Sequence, residues 1–219
     1  SDITLTGDTA DLGGSFALSS AGKLLIQPYT ALNTIGIAGG TGTLSLPASY
    51  FSTNFTNGFS SITIGSANAG NINIGNTALT YNDPLTLKTA GNITTNSEAT
   101  VTGGMDQTAH LTLWADADAN NDGYIFLYDG SAIDTNGGDI VMAGGADGNS
   151  DGRPDGFATS ATSDISGVSI GRLNGAATAG TTILSDGGDI FIKGKSSGGG
   201  VGMGINYSHS GVLDAGSGT

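Results

Sequence analysis

SAIDTNGGDIVMAGG at residues 131–145 and TTILSDGGDIFIKGK at 181–195 decide the fold. In both, an apolar residue and an acidic one lead into Gly-Gly-Asp-Ile, fifty positions apart, so the two stretches are copies of one structural unit. Shorter forms recur along the chain: ITLTG (3–7), SITIG (61–65), NINIG (71–75), LTLK (85–88), HLTLWA (110–115) and VSIG (168–171). Each alternates apolar and polar residues and most end in Gly, the pattern of a short strand ending in a turn. Strands of three to five residues bury no face alone, but coils that stack set each Ile or Leu on its counterpart in the next. The sequence therefore predicts an all-β, elongated β-solenoid, one unit over residues 1–219. Coils of roughly 20 residues would give about ten rungs and, at ~4.8 Å per rung, a rod on the order of 50 Å.

Composition agrees with a narrow core spread along the chain. Of 219 residues 39 are Gly, 37% are apolar and only 11% are charged, so the surface is polar through hydroxyls and amides. No apolar i, i+3, i+4, i+7 stretch of useful length survives the Gly and β-branched residues, which excludes a helical fold. One segment breaks the pattern: LPASYFSTNFTNGFSS at 46–61 has aromatics without period 2, and Pro47 disfavours a central strand, so a loop excursion or short lid is expected there.

The net charge of −13, with six basic residues, speaks against nucleic acid and against an anionic membrane surface. No apolar run is long enough for membrane insertion, no secretion signal opens the chain, and there is no Cys for a disulfide framework. Neither terminus reads as a cap, so the chain is expected to be a segment of a longer repetitive protein, with neighbouring solenoid segments or copies of itself as partners.

GNITTN (91–96), LTLWADAD (111–118), GGDIVMAGGAD (137–147), GVSIGRLNGA (167–176) and GGDIFIKGKSSGGGVGMGIN (187–206) are similar to the repeats of filamentous haemagglutinin-like bacterial exoproteins. The resemblance runs from about Ile62 onward. It implies a right-handed parallel β-helix, export to the bacterial cell surface, and a role in adhesion, aggregation or biofilm formation. It implies no catalytic residues.

Ten of the nineteen acidic residues lie between Asp106 and Asp155, with Arg153 the lone basic residue among them. Within this window, 116–158 holds two candidate calcium loops. In DANNDGYIFLYD (118–129), Asp118, Asn120 and Asp122 stand at positions 1, 3 and 5 of a twelve-residue loop, with Gly123 at the turn, the Tyr124 carbonyl at 7 and Asp129 at 12. DGNSDGRPD (147–155) offers Asp147, Asn149, Asp151 and Asp155 around Gly152. Oxygen donors at alternate positions suit a hard cation that needs six or more ligands. Asp, Asn and Gly also simply make turns.

Tyr124, Phe126 and Tyr128 alternate with Ile125 and Leu127, so a strand here turns its aliphatics inward and its aromatics outward, where they would either contact surface glycans, proteins or another chain or pack under the 147–158 loop. His110 and His209 fit no metal or nucleophile spacing, and no GxSxG elbow activates a Ser. A β-helical polysaccharide lyase or hydrolase is the enzymatic rival, disfavoured by four Lys dispersed along the chain. A self-assembling extracellular filament or matrix protein is the structural rival. The expectation is a secreted, non-enzymatic adhesive fibre segment stiffened by Ca2+.

Overall fold

A computed structural model describes residues 1–13, 16–105, 108–171, 179–197, 202–208 and 211–216. His209 and Asp106 lie outside the described residues. In chain order the strands are β1 (Ile3–Thr6), β2 (Lys23–Gln27), β3 (Ile35–Ile37), β4 (Leu44–Leu46), β5 (Ser61–Gly65), β6 (Ile72–Ile74) and β7 (Leu79–Tyr81). There follow β8 (Leu85–Lys88), β9 (Ile93–Thr95), β10 (Thr100–Gly103), β11 (Leu111–Ala115), β12 (Ile125–Leu127), β13 (Ala132–Asp134) and β14 (Ile140–Gly144). The last are β15 (Ala158–Ser160), β16 (Val168–Ile170), β17 (Thr182–Leu184), β18 (Ile190–Ile192), β19 (Gly194–Ser196), β20 (Ile205–Tyr207) and β21 (Val212–Asp214).

These strands form a parallel β-helix. Sheet 1 runs β1-β2-β5-β8-β11-β14-β18, sheet 2 runs β4-β3-β6-β9-β12-β16-β20, and sheet 3 runs β7-β10-β13-β17-β21; β15 and β19 pair separately. The chain visits the three sheets in turn, as in β5, β6, β7 and then β8, β9, β10, and adjacent coils pair in parallel. Period-2 alternation sets which side chains fill the core. Leu24, Ile62, Leu85, Leu111 and Ile140 stack in register inside sheet 1, as do Ile35, Ile72, Ile93, Ile125 and Val168 inside sheet 2. Each such burial stabilises by about 1.5–3 kcal/mol relative to exposure.

Ile133 pairs with Ile183 and Ile140 with Ile190, so the fifty-residue repeat is one coil lying on the next. Coil length is not uniform. Successive Cα partners in sheet 1, from Ile3 to Leu24, Ile62, Leu85, Leu111, Ile140 and Ile190, are 21, 38, 23, 26, 29 and 50 residues apart. Excursions consume the difference, so the longest sheets have seven rungs instead of about ten. At ~4.8 Å per rung this stack is roughly 29 Å tall, shorter than uniform coils predict.

Two features at the first coils depart from the sequence reading. β3 and β4 are consecutive yet paired in parallel across only the residues 38–43, although a parallel connection ordinarily takes a dozen residues or more. Glycine permits it: a Cβ on Gly36 would lie 2.2 Å from the Gly40 carbonyl oxygen, and one on Gly40 would lie 2.0 Å from that of Asn73. The 46–61 segment forms no strand between β4 and β5, as an excursion would, but its aromatic side chains enter the core instead of lying over it. A π-helical turn at Tyr50–Asn54 packs against β7, where a sheet 3 strand would otherwise lie, and buries Tyr50, Phe51, Phe55 and Phe59 in the stack. Its buried Asn54 donates from Nδ2 to the Leu12 carbonyl at 2.9 Å, and the Tyr50 hydroxyl accepts from the Leu12 N–H at 2.8 Å, tying the first coil down.

Candidate functional surfaces on the solenoid

Both acidic strings leave the solenoid at the same corner, one coil apart. The first follows β11 and the second follows β14, so the coils stack their bases. Asp116 turns the chain with φ 49°, and its carbonyl accepts from the Gly145 N–H at 3.1 Å. Gly123 and Thr159 exchange backbone hydrogen bonds of 2.7 and 2.8 Å, and the Gly156 N–H closes the base of the second loop onto the Gly144 carbonyl at 2.8 Å. Asp116 is 2% exposed, and burial pushes its carboxyl up, opposed by hydrogen bonds to Thr159 and to the Asn121 and Asp122 backbones.

In the first string, Asp118, Asn120 and Asp122 gather in one exposed turn: the Asn120 amide donates to Asp118 at 2.8 Å and the Asp122 N–H to Asn120 Oδ1 at 2.8 Å. Tyr124 and Asp129 do not join them. The chain straightens into β12, the Tyr124 carbonyl accepts from the Ile93 N–H at 2.9 Å, and buried Asp129 lies beyond the far end of that strand, more than ~13 Å along an extended chain. The twelve positions therefore do not close around one point, because a rung of sheet 2 takes the second half of the loop.

The second string stays a loop. Asp147 accepts from the Asp151 and Gly152 N–H groups at 3.0 and 2.9 Å, and Asp155 Oδ2 accepts from Gly148 and Asn149 at 2.8 and 3.2 Å. The Asn149 amide nitrogen sits between Asp151 and Asp155, at 3.2 and 3.3 Å. Among the described residues no three His, Cys, Asp or Glu side chains form a metal-holding group.

On sheet 2, Ile125 and Leu127 point inward and Tyr124, Phe126 and Tyr128 share the outer face. The three are not an open stripe. Phe126 is 8% exposed, between the Thr94 and Ser169 rungs, with its ring 4.5 Å from that of Tyr128, which is 42% exposed. Trp114, on the outer face of sheet 1, is equally covered: its Nε1 donates to the Gly145 carbonyl at 2.7 Å and Lys88 Nζ lies 3.6 Å from its ring centre. Burial pulls the Lys88 ammonium down and the nearby Asp147 charge opposes this.

One surface feature was not singled out from the sequence. The 147–155 loop folds back over the outer face of sheet 1 and walls two contiguous cavities of about 500 and 380 Å3, which share Asp139, Val141, Asp151 and Arg153. The signal was present: SITIG, LTLK and HLTLWA each carry Thr at the outward central position, and Thr63, Thr86 and Thr112 stack in register as the floor. The four Lys, dispersed in sequence, are not all dispersed in space, since Lys23 and Lys193 join Arg153 along this groove. No helix is long and apolar enough to cross a membrane among the described residues. Compared with protein-family models, curated proteins and solved structures, the chain shows no match.

Proposed function

We propose that this chain is a segment of a bacterial cell-surface adhesive fibre, acting as a stiff spacer that also presents binding surfaces. The observation that carries the reading is the pair of in-register aliphatic columns, from β2 to β14 in sheet 1 and from β3 to β16 in sheet 2, with coils of unequal length between the rungs. A solenoid of this kind separates length from recognition, because the core fixes the rungs and the loops supply the contacts. The resemblance of its Gly-flanked repeats to filamentous haemagglutinin-like exoproteins supplies the extracellular setting. Calcium is the cation that suits the second acidic loop, with Asp147, Asn149, Asp151 and Asp155 as donors once the Asn149 amide turns its oxygen inward.

Beads coated with the chain should attach to cultured cells or to bacterial lawns well above albumin-coated beads. Attachment no better than albumin on every surface would overturn adhesion. One observation favours an enzymatic reading: Asp139, Asp151, Asp155 and Asp189 share the groove with Arg153 and Lys193. New reducing ends, or unsaturated sugar ends, appearing in polysaccharides incubated with the chain would move the reading to a hydrolase or a lyase respectively.

A further inference from the structure

We infer that the groove across sheet 1 binds an extended, uncharged glycan; this names the partner of the fibre reading and rests on it for its setting. The groove crosses the strands from β2 to β18, six rungs and ~24 Å, so it fits a linear chain lying along the stacking axis. Its floor is the hydroxyl column Thr63, Thr86 and Thr112, continued by Val141 and by Phe191, which is 48% exposed. Its charged groups are nearly balanced: Lys23, Arg153 and Lys193 against Asp139, Asp151, Asp155 and Asp189. Three of the six basic residues of a chain with net charge −13 thus converge on one face.

Vicinal sugar hydroxyls donate to carboxylates and accept from Arg and Lys at once, and the apolar face of a pyranose stacks on an exposed ring such as Phe191. A carboxylated or sulfated polysaccharide would gain from three cations but meet four carboxylates and the repulsion of the whole chain. A peptide would find no free backbone on the floor, because interior strands already hydrogen-bond on both edges, and strand addition takes place at an edge. The bases of the 147–155 loop and of the strand-entry column are held by the protein itself: Asp139 accepts from the Asp189 N–H at 2.9 Å, and the Asp139 N–H donates to His110 Nδ1 at 2.8 Å. Lys193 Nζ donates to the Asp155 carbonyl at 2.8 Å, fixing the loop over the floor.

The test is calorimetry of the whole chain against a panel of neutral oligosaccharides of six sugars or more, including gluco-, manno-, galacto- and xylo-types, with oligogalacturonate as the anionic arm. At least one neutral type is expected to bind, with affinity reduced tenfold or more by Phe191→Ala and by Thr112→Arg, which places a long side chain across the floor. Thr80→Ala, exposed on β7 of sheet 3 and away from the groove, should leave binding within twofold, and melting temperatures report that each variant folds. Silence across the neutral panel, binding of oligogalacturonate alone, or neutral binding unaffected by Thr112→Arg in a folded variant would overturn the proposal. If beads coated with the wild-type chain attach while no neutral glycan binds that chain, adhesion stands and the groove falls.

Discussion

Asp116 shows how a single residue ties chemistry to coil geometry. It holds a left-handed turn at the corner where both acidic loops depart, and its carboxyl is buried against Thr159 and the Asn121 N–H. Burial raises its pKa above the unfolded value, so the folded state favours the protonated form. The stability that this group contributes is fully present below the unfolded pKa and is lost as pH rises through the folded pKa. Asn keeps both the accepting oxygen and the shape without an ionisation. Asp116→Asn should therefore melt close to wild type at about pH 3 and gain on it progressively toward neutrality. Thermal melts of both proteins across that range isolate the effect, since every other acid is common to the two; a constant gap, or wild type gaining with pH, would show that the carboxylate is favoured in the fold.

At the scale of elements, the strands were legible, and the packing of the excursions was not. ITLT, SITI, INI, LTLK and LTLWA carry period 2 in plain view, and they are β1, β5, β6, β8 and β11. What decided 46–61 and 38–43 was tertiary: four aromatic side chains fill the space of a missing sheet 3 strand, and glycines allow a six-residue parallel return, neither of which a local pattern encodes. The calcium spacing at 118–129 was likewise real as a string but overridden by the β12 rung. The second loop carries its own reporter, because the single Trp of the chain, Trp114, bonds to Gly145 at its base and lies under Lys88, which feels the charge of Asp147. Calcium ordering that loop should shift Trp114 fluorescence saturably, with a Kd of about 10⁻⁴ to 10⁻³ M as in extracellular modules, and Asp147→Ala should abolish the shift. A spectrum unchanged up to about 10 mM calcium would reduce the 147–155 loop to a set of turns stabilised by its own backbone hydrogen bonds.

For the whole molecule, contacts are between neighbouring coils, so stability is approximately a sum of coil and interface terms instead of one indivisible quantity. The terms are unequal. In the middle of the stack β9 and β12 have their inward residues fully buried between rungs on either side, whereas among the described residues β1 has a partner only in β2 and every residue of β21 is exposed. The Tyr50–Asn54 turn and its aromatic ring set reinforce the first coils, with Tyr50 and Asn54 reaching back to Leu12; among the described residues β20 and β21 have one neighbouring coil each. Opening should therefore proceed from the β20–β21 side inward. Native-state hydrogen exchange should find the amides of β9, β11 and β12 protected longest, those of β20 and β21 exchanging at least about tenfold faster, which corresponds to about 1.4 kcal/mol of local stability, and those of β2 between them. Equal protection from β2 to β21 would mean that the solenoid opens as a single cooperative body, and that the spacing of its loops, not its ends, sets its resistance to unfolding.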